Sequence, residues 1–447
     1  MTSLSAWAKK ALVSICALTG TTEYATRRVG PAPFLPALFV DRFTHLGGIA
    51  DAEFRAQLDA CRSFDDARWT THWQTIAGQH VARADDALAR LGVPDTDTLL
   101  ATTDAELRDE LGARLAPAVT LLADRGPVAD PDAVATFCAE HPDAAQQAIA
   151  LDGLIKAMVY EFVAAWPGWT PHRLAAYERS HRLAELVLTC LAPAMGVSIE
   201  PVRLPVPGDD MVRGYLMFPL DQDAAEVPIV VCSNGIEGTL AELLLPMLAH
   251  RRAGMALFVM EMPGTYSYRQ PLAPEVERVY SAVVEHLAAH PRVDGDRIGM
   301  LGVSFGAYWA TRMAAVDPRL SVAVANGAPA HRSFTSAAAL GLPEIMVSTL
   351  HEATGSASLH EMAGKLRALS IAHLYRHIDI PLLVINGADD TLLSTQDSVD
   401  IAIGAPRAQL VLYADDDHCA MGHSEEWSAL SVRFLREHLI VRQNVGC

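Results

Sequence analysis

The chain has 447 residues, 51% of them apolar and 20% charged, which is ample for a large core and for two or three domains. Its formal charge of −18 argues against nucleic acid or an anionic membrane surface as a partner. Seven cysteines lie scattered without a CxxC pair, the pattern of reduced thiols in a cytoplasmic protein, and no His or Cys spacing matches a metal site.

From the N-terminus, Lys9-Lys10 followed by Ala11–Leu18 faintly resembles a signal peptide. No small-x-small cleavage site follows, and an amphipathic helix is the preferred reading. No uninterrupted apolar run reaches transmembrane length. Residues 1–195 read as a helical domain, a lid or dimerisation module. Segments 64–92, 103–124, 131–142 and 144–165 carry apolar residues at helical spacing, broken at Pro94, Gly126-Pro127 and Pro167-Gly168. Thr170-Pro171 opens a further helix through Leu191, with proline where its missing N–H costs nothing. Trp69, Trp73, Trp166 and Trp169 are expected chiefly to fill the core of this half.

Residues 196–447 read as α/β. Val197–Val206 and Met211–Pro219 form an expected antiparallel pair joined through Gly208-Asp209-Asp210. Further strands are predicted at Val227–Cys232, Met255–Met260, Ile298–Leu301, Ser321–Ala325, Leu382–Ile385 and Gln409–Tyr413. After residue 227 they alternate with helical stretches, and their near-continuous apolar runs suit a parallel sheet covered on both faces. Residues 330–378, rich in Ala, His and Leu, read as a helical cap insertion.

Chemistry concentrates at Gly302-Val303-Ser304-Phe305-Gly306, which joins the apolar strand Arg297–Leu301 to a helical stretch from Ala307. A serine on so tight a strand-to-helix turn has a strained backbone and an exposed hydroxyl, and its flanking glycines avoid collisions that a Cβ would cause. Such a nucleophile needs a base to take its proton and a carboxylate to orient that base. Both follow in the required order. Leu382–Ile385 runs into Asn386-Gly387-Ala388-Asp389-Asp390, and Gln409–Tyr413 into Ala414-Asp415-Asp416-Asp417-His418. Asp390 is the predicted acid with Asp389 as alternative; His418 is the predicted base, with His423 expected five residues on, inside the final helix. Asp415–Asp417 read either as a solvated turn or as a bias toward charged imidazole.

Two backbone N–H groups must receive the developing oxyanion. Phe305 is expected to supply one and Ile236, in the loop Ser233-Asn234-Gly235-Ile236-Glu237, the other, with Gly235 allowing close approach. Glu237 has two readings: a carboxylate acting on substrate or water, or an acid favoured by the dipole of a helix over Leu240–His250.

Together, Asn234–Glu237, Glu261-Met262-Pro263-Gly264, Gly302–Gly306, Gly387–Asp390 and Asp417-His418-Cys419 resemble the α/β-hydrolases related to 2,6-dihydroxypseudooxynicotine hydrolase, the FrsA-like esterases and polyketide-shortening hydrolases. The resemblance runs over roughly residues 60–440 and is stronger after 196. It implies an α/β-hydrolase fold, a mostly parallel eight-stranded sheet with a helical N-terminal domain and a helical cap insertion. It implies Ser304, Asp390 and His418 as triad, the acid lying where such enzymes place it, and weight on Glu237 because a relative carries a glutamate there. It also implies cleavage of a C–C bond beside a ketone, or of an ester or acyl bond. Two departures stand out: Asn234-Gly235 replaces a usual Gly-Gly, and Glu261 a usual Asp.

The expectation is a cytoplasmic serine hydrolase acting on a small aromatic or polyketide-type metabolite. It needs no cofactor or metal and has no nucleic-acid or membrane partner; a homodimer is a possible assembly. Acyl transfer or cyclisation by the same triad is one alternative, and a non-catalytic regulatory protein on the same fold is another.

Overall fold

Eight strands, the central ones buried almost throughout, organise the second half of the chain. The computed structural model describes residues 6–220, 225–266, 268–335 and 342–440, with 6–10 as backbone only. The strands are β1 (Val197–Val206), β2 (Asp210–Pro219), β3 (Val227–Ser233), β4 (Ala256–Met260), β5 (Val293–Val303), β6 (Leu320–Asn326), β7 (Leu382–Gly387) and β8 (Ala408–Tyr413). They form one sheet in the order β1-β2-β4-β3-β5-β6-β7-β8. The pairings β1–β2 and β2–β4 are antiparallel, and every other pairing is parallel. β5 starts earlier than its apolar run suggests. Val293 pairs with Val227, and Asp294-Gly295-Asp296-Arg297 bulge out before pairing resumes at Ile298 with Ile229.

Each central strand is apolar on both faces. In β3, Val230 and Cys232 join one core while Ile229 and Val231 join the other. The helices Glu277–Ala288 and Phe305–Val316 cover the second face. The first face is covered by Leu240–Met247 and Ser424–Leu439, and its core continues without a break into the helical half of the chain.

That helical half occupies the chain up to Met195. The signal-peptide-like stretch lies in a helix, Ala6–Thr19, with Val13 and Cys16 buried and Ile15 and Leu18 exposed. Asp65 caps the long helix Asp66–Arg90 by accepting from Arg68 N–H. This helix packs on Ala145–Ala165, where a Cβ on Gly153 would stand 2.8 Å from the His80 carbonyl. Trp69, Trp73 and Trp166 are buried beside Phe39 and Phe54, in edge-on and stacked contacts. Buried Arg251 ties the halves together by donating to the carbonyls of Ala123, Met195 and Leu248.

Within 330–378 the described residues form helices Glu344–Ala353 and Leu359–Ala368 with 3₁₀ turns at Arg332–Phe334 and Tyr375–His377; 336–341 lie outside the described residues. Its first residues hang from one buried carboxylate. Asp397, in the first turn of helix Thr395–Gly404, accepts from the backbone N–H groups of Ala330, His331, Arg332 and Ser333 at 2.8–3.1 Å. Asp397→Ala orphans all four donors, for an expected loss of about 3 kcal/mol. The comparison is Asp400→Ala, which breaks the more exposed Arg332 pair and an exposed bond from Gln396 and should cost under about 1 kcal/mol. Denaturant midpoints of the two variants measure the difference.

Candidate active site

Ser304 sits at φ 55° and ψ −122°, a conformation that a side-chain-bearing residue rarely adopts. The glycines on either side explain how the turn fits. A Cβ on Gly302 would stand 2.0 Å from the Gly306 carbonyl oxygen, and one on Gly306 would stand 2.0 Å from that of Ser233. Ser304 N–H donates to Asn326 O at 2.7 Å, pinning the turn to the end of β6.

The loops after β7 and β8 bring the other predicted residues to it. His418 Nε2 lies 2.9 Å from Ser304 Oγ, and His418 Nδ1 lies 2.8 Å from Asp390 Oδ2. A carboxylate only accepts, so Nδ1 carries a proton and Nε2 is free to accept from the serine. Asp389 is exposed and bonds through its backbone N–H to Asp416 O, away from His418. His423 stands just before the final helix rather than inside it, because Cys419 and Ala420 take left-handed backbone geometry and delay the helix to Ser424. Its ring pairs with Asp416.

Asp390 is held by more than the histidine. Oδ1 accepts from Leu392 and Leu393 N–H, and Oδ2 from Asn386 Nδ2. Burial raises its pKa, but the histidine and these donors outweigh burial and hold it below the usual carboxylate range. Burial also opposes a charged His418, while the Cys419 sulfur and Asp390 favour one; the net effect lifts the imidazole above its ordinary value. Of the acidic run, Asp415 is exposed on the turn, as the solvated reading expects, while Asp416 is buried. Asp417 accepts from Thr391 N–H, Thr391 Oγ1 and His418 N–H, latching the loop of the acid to that of the base.

Gly235 brings the loop after β3 against the serine: a Cβ there would be 2.7 Å from Ser304 Cβ and 3.1 Å from its Oγ. Asn234 sets this loop, accepting from Gly235 N–H at 2.8 Å and donating to Glu242 at 2.7 Å. Phe305 N–H stands in the first turn of its helix, where no preceding helical carbonyl can accept it. Ile236 follows Gly235 and lines the same cavity as Ser304.

Glu237 departs from the dipole reading. Thr239 caps the helix Leu240–Met247 by accepting from Glu242 N–H, and Glu237 turns away from it. Its buried Oε1 accepts from Gly168 N–H of the helical half and from Thr349 Oγ1 at 2.8 Å. Oε2 has no partner among the described residues. Burial pushes this carboxyl from 4.5 up to about 7. The Glu237 carbonyl takes Tyr266 OH at 2.6 Å and Arg42 Nη2 at 3.2 Å. Sequence spacing does not mark Arg42, Gly168 or Thr349. Glu261, the second departure from the family pattern, uses its length to reach Tyr177 OH, 2.8 Å from both oxygens.

These groups close a cavity of about 100 Å³ containing Ser304, His418, Glu237 and Arg42, with Trp166 and Met346 in its walls. Trp166 thus serves the core and the cavity together. Among the described residues no cluster of three or more His, Cys, Asp or Glu is placed to hold a metal ion, and no helix is long and apolar enough to cross a membrane.

Comparison with known proteins bears on this arrangement. The pattern of the FrsA-like esterases matches residues 135–411. Esterase FrsA of Photobacterium profundum is 26% identical over 263 residues, 56% of this chain and 60% of that protein. The 2,6-dihydropseudooxynicotine hydrolase of Paenarthrobacter nicotinovorans is 29% identical over 237 residues, 51% of this chain and 61% of its own. The chain thus spans about 60% of the length of these two relatives. The crystal structure of 2,6-dihydroxy-pseudo-oxynicotine hydrolase superposes with a TM-score of 0.64 over 90% of this chain and 96% of the other, at 18% identity, a likeness of fold. The eight-stranded sheet has the α/β-hydrolase fold, and the chain belongs to the FrsA-like esterase family.

Proposed function

We propose that this protein is a serine hydrolase in which Ser304 is the nucleophile, His418 the base and Asp390 the orienting acid. The observation that carries this reading is the unbroken hydrogen-bonded line from Ser304 Oγ through both imidazole nitrogens to Asp390. Ser304 Oγ attacks a carbonyl carbon while His418 Nε2 takes its proton, and Asp390 stabilises the imidazolium. The N–H groups of Phe305 and Ile236 receive the oxyanion. As the intermediate collapses, the leaving group departs with the proton from His418. Water, deprotonated by the same imidazole, then releases the acid and restores Ser304. The substrate is a small molecule that the cavity encloses.

Ester hydrolysis needs nothing more. Glu237 favours a second reaction of the same triad: cleavage of a C–C bond beside a ketone in an aromatic or polyketide-type metabolite. There the leaving group is an enolate-like carbanion. A carboxyl that burial holds largely protonated below about pH 7, on a residue of the cavity wall and with Oε2 unpartnered among the described residues, can donate to the ketone oxygen as charge builds on it.

The triad is tested by intact mass after treatment with a fluorophosphonate. Wild type should gain one adduct, Ser304→Ala none, and His418→Ala far less; both variants should lose about a thousandfold or more in turnover. An undiminished adduct on Ser304→Ala would place the nucleophile elsewhere. Glu237→Gln should slow cleavage of a β-diketone at least about tenfold more than that of an activated aryl ester. Equal losses on both would remove Glu237 from the chemistry.

The same variant reports on the proton. The folded state holds the Glu237 proton more tightly than the unfolded chain does. Ionisation therefore costs stability as pH rises from 4.5 to about 7, and no more beyond that. Glu237→Gln should match wild type near pH 4 and gain on it through this window, by at most about 3 kcal/mol. Denaturation midpoints at pH 4.5 and 8 give the comparison.

A further inference from the structure

The Ser304 cavity has a neighbour. A second space of about 100 Å³ shares five of its wall residues, Arg42, Asn234, Glu242, Val303 and Met421, but contains neither Ser304 nor His418. Its remaining wall is largely apolar, with Leu46 from the helical half, Leu243 and Met247 from the helix after β3, Leu301 from β5 and Trp427 from the final helix.

The partition has a polar side and an apolar side. Arg42 Nη2 donates to Glu242 Oε2 at 2.8 Å and Asn234 Nδ2 to the same oxygen at 2.7 Å, so this side is a fixed cluster. Val303 and Met421 form the other side, and neither contributes a side-chain hydrogen bond to hold it shut. Val303 immediately precedes Ser304 and lines both spaces, so the apolar side adjoins the nucleophile's own residue. Trp427 Nε1, buried with no acceptor among the described residues, leaves a donor available for an oxygen beyond the partition.

We propose that this annex is a substrate subsite, taking one apolar arm of the molecule whose carbonyl lies at Ser304. The arm passes between Val303 and Met421, and the substrate class is one with an extended hydrocarbon or flat ring on one side of the scissile bond. Burying it replaces water against Leu46, Leu243, Met247 and Leu301, a gain that grows with each methylene until the annex is full. The enclosing helical half thereby sets substrate length, since Leu46 reaches the annex from there.

This subsite rests on the serine-hydrolase reading, and its test separates the two. Alkyl fluorophosphonates and p-nitrophenyl esters, lengthened from two to eight carbons on the acyl side or on the alkyl side, are compared on wild type, Leu243→Trp, Leu46→Trp and Met247→Ala. Wild type should prefer the longer arm in one series. Each tryptophan should lower the ratio of long-arm to short-arm kcat/KM, or of labelling rates, at least tenfold, and Met247→Ala should raise it or extend the preferred length. Two filling variants, one from each half of the chain, and one enlarging variant, each checked by thermal melting, guard against misfolding. Ratios within twofold of wild type in every folded variant would overturn the annex while leaving the triad standing. Failure of wild-type Ser304 to react with any of the probes would overturn the triad and the annex with it.

Discussion

Three distant parts of the chain converge on Glu237, and the site depends on that convergence. Its carboxylate receives the backbone of Gly168 and the hydroxyl of Thr349, while its carbonyl receives Arg42 and Tyr266. Glu237 itself lies in the loop that Gly235 presses against Ser304. The helical half, the insertion between β6 and β7 and the β3 loop are therefore held in register by one residue. Because the residue is buried, an unmade bond there is not replaced by water, and the geometry is correspondingly strict.

A second layer repeats the arrangement. Glu261 follows β4 and takes the Tyr177 hydroxyl of the helical half, and the Tyr177 ring stacks on Tyr266 at 4.1 Å. Burial lifts Glu261 to about 8, so it too favours its proton near neutrality. Asn234 and Glu261, the two departures expected from the resemblance, both make structural contacts. Asn234 fixes the β3 loop through Glu242, and Glu261 supplies the extra methylene that spans to Tyr177.

What could be read from sequence was what is written locally. The elbow, the acid loop and the base loop each sit at the carboxyl end of an apolar strand, so the fold assembles them once strand order is known. Arg42 and Thr349 carried no such signal. They meet Glu237 across 195 and 112 residues of chain, and nothing in their immediate neighbourhoods distinguishes them from surface polar residues. The left-handed turn at Cys419 and Ala420 was equally silent, since neither is a glycine, and it is this turn that leaves His423 outside the final helix. The first half of β5 escaped because one tertiary pair, Val293 with Val227, sets its start, and Asp294–Arg297 only bulge between that pair and Ile298.

The cover over Glu237 also pulls its proton in two directions. Gly168 and Thr349 cover the carboxyl, and both belong to segments packed over the sheet rather than to the sheet itself. Their hydrogen bonds favour the ionised carboxyl while the burial they complete disfavours it, and burial outweighs them. Between about pH 5 and 7 the covered state gains from acidity, and above that range it has no further dependence on this group. The proton affinity of this carboxyl is thus a property of the packed junction between helical half, insertion and sheet rather than of the residue alone.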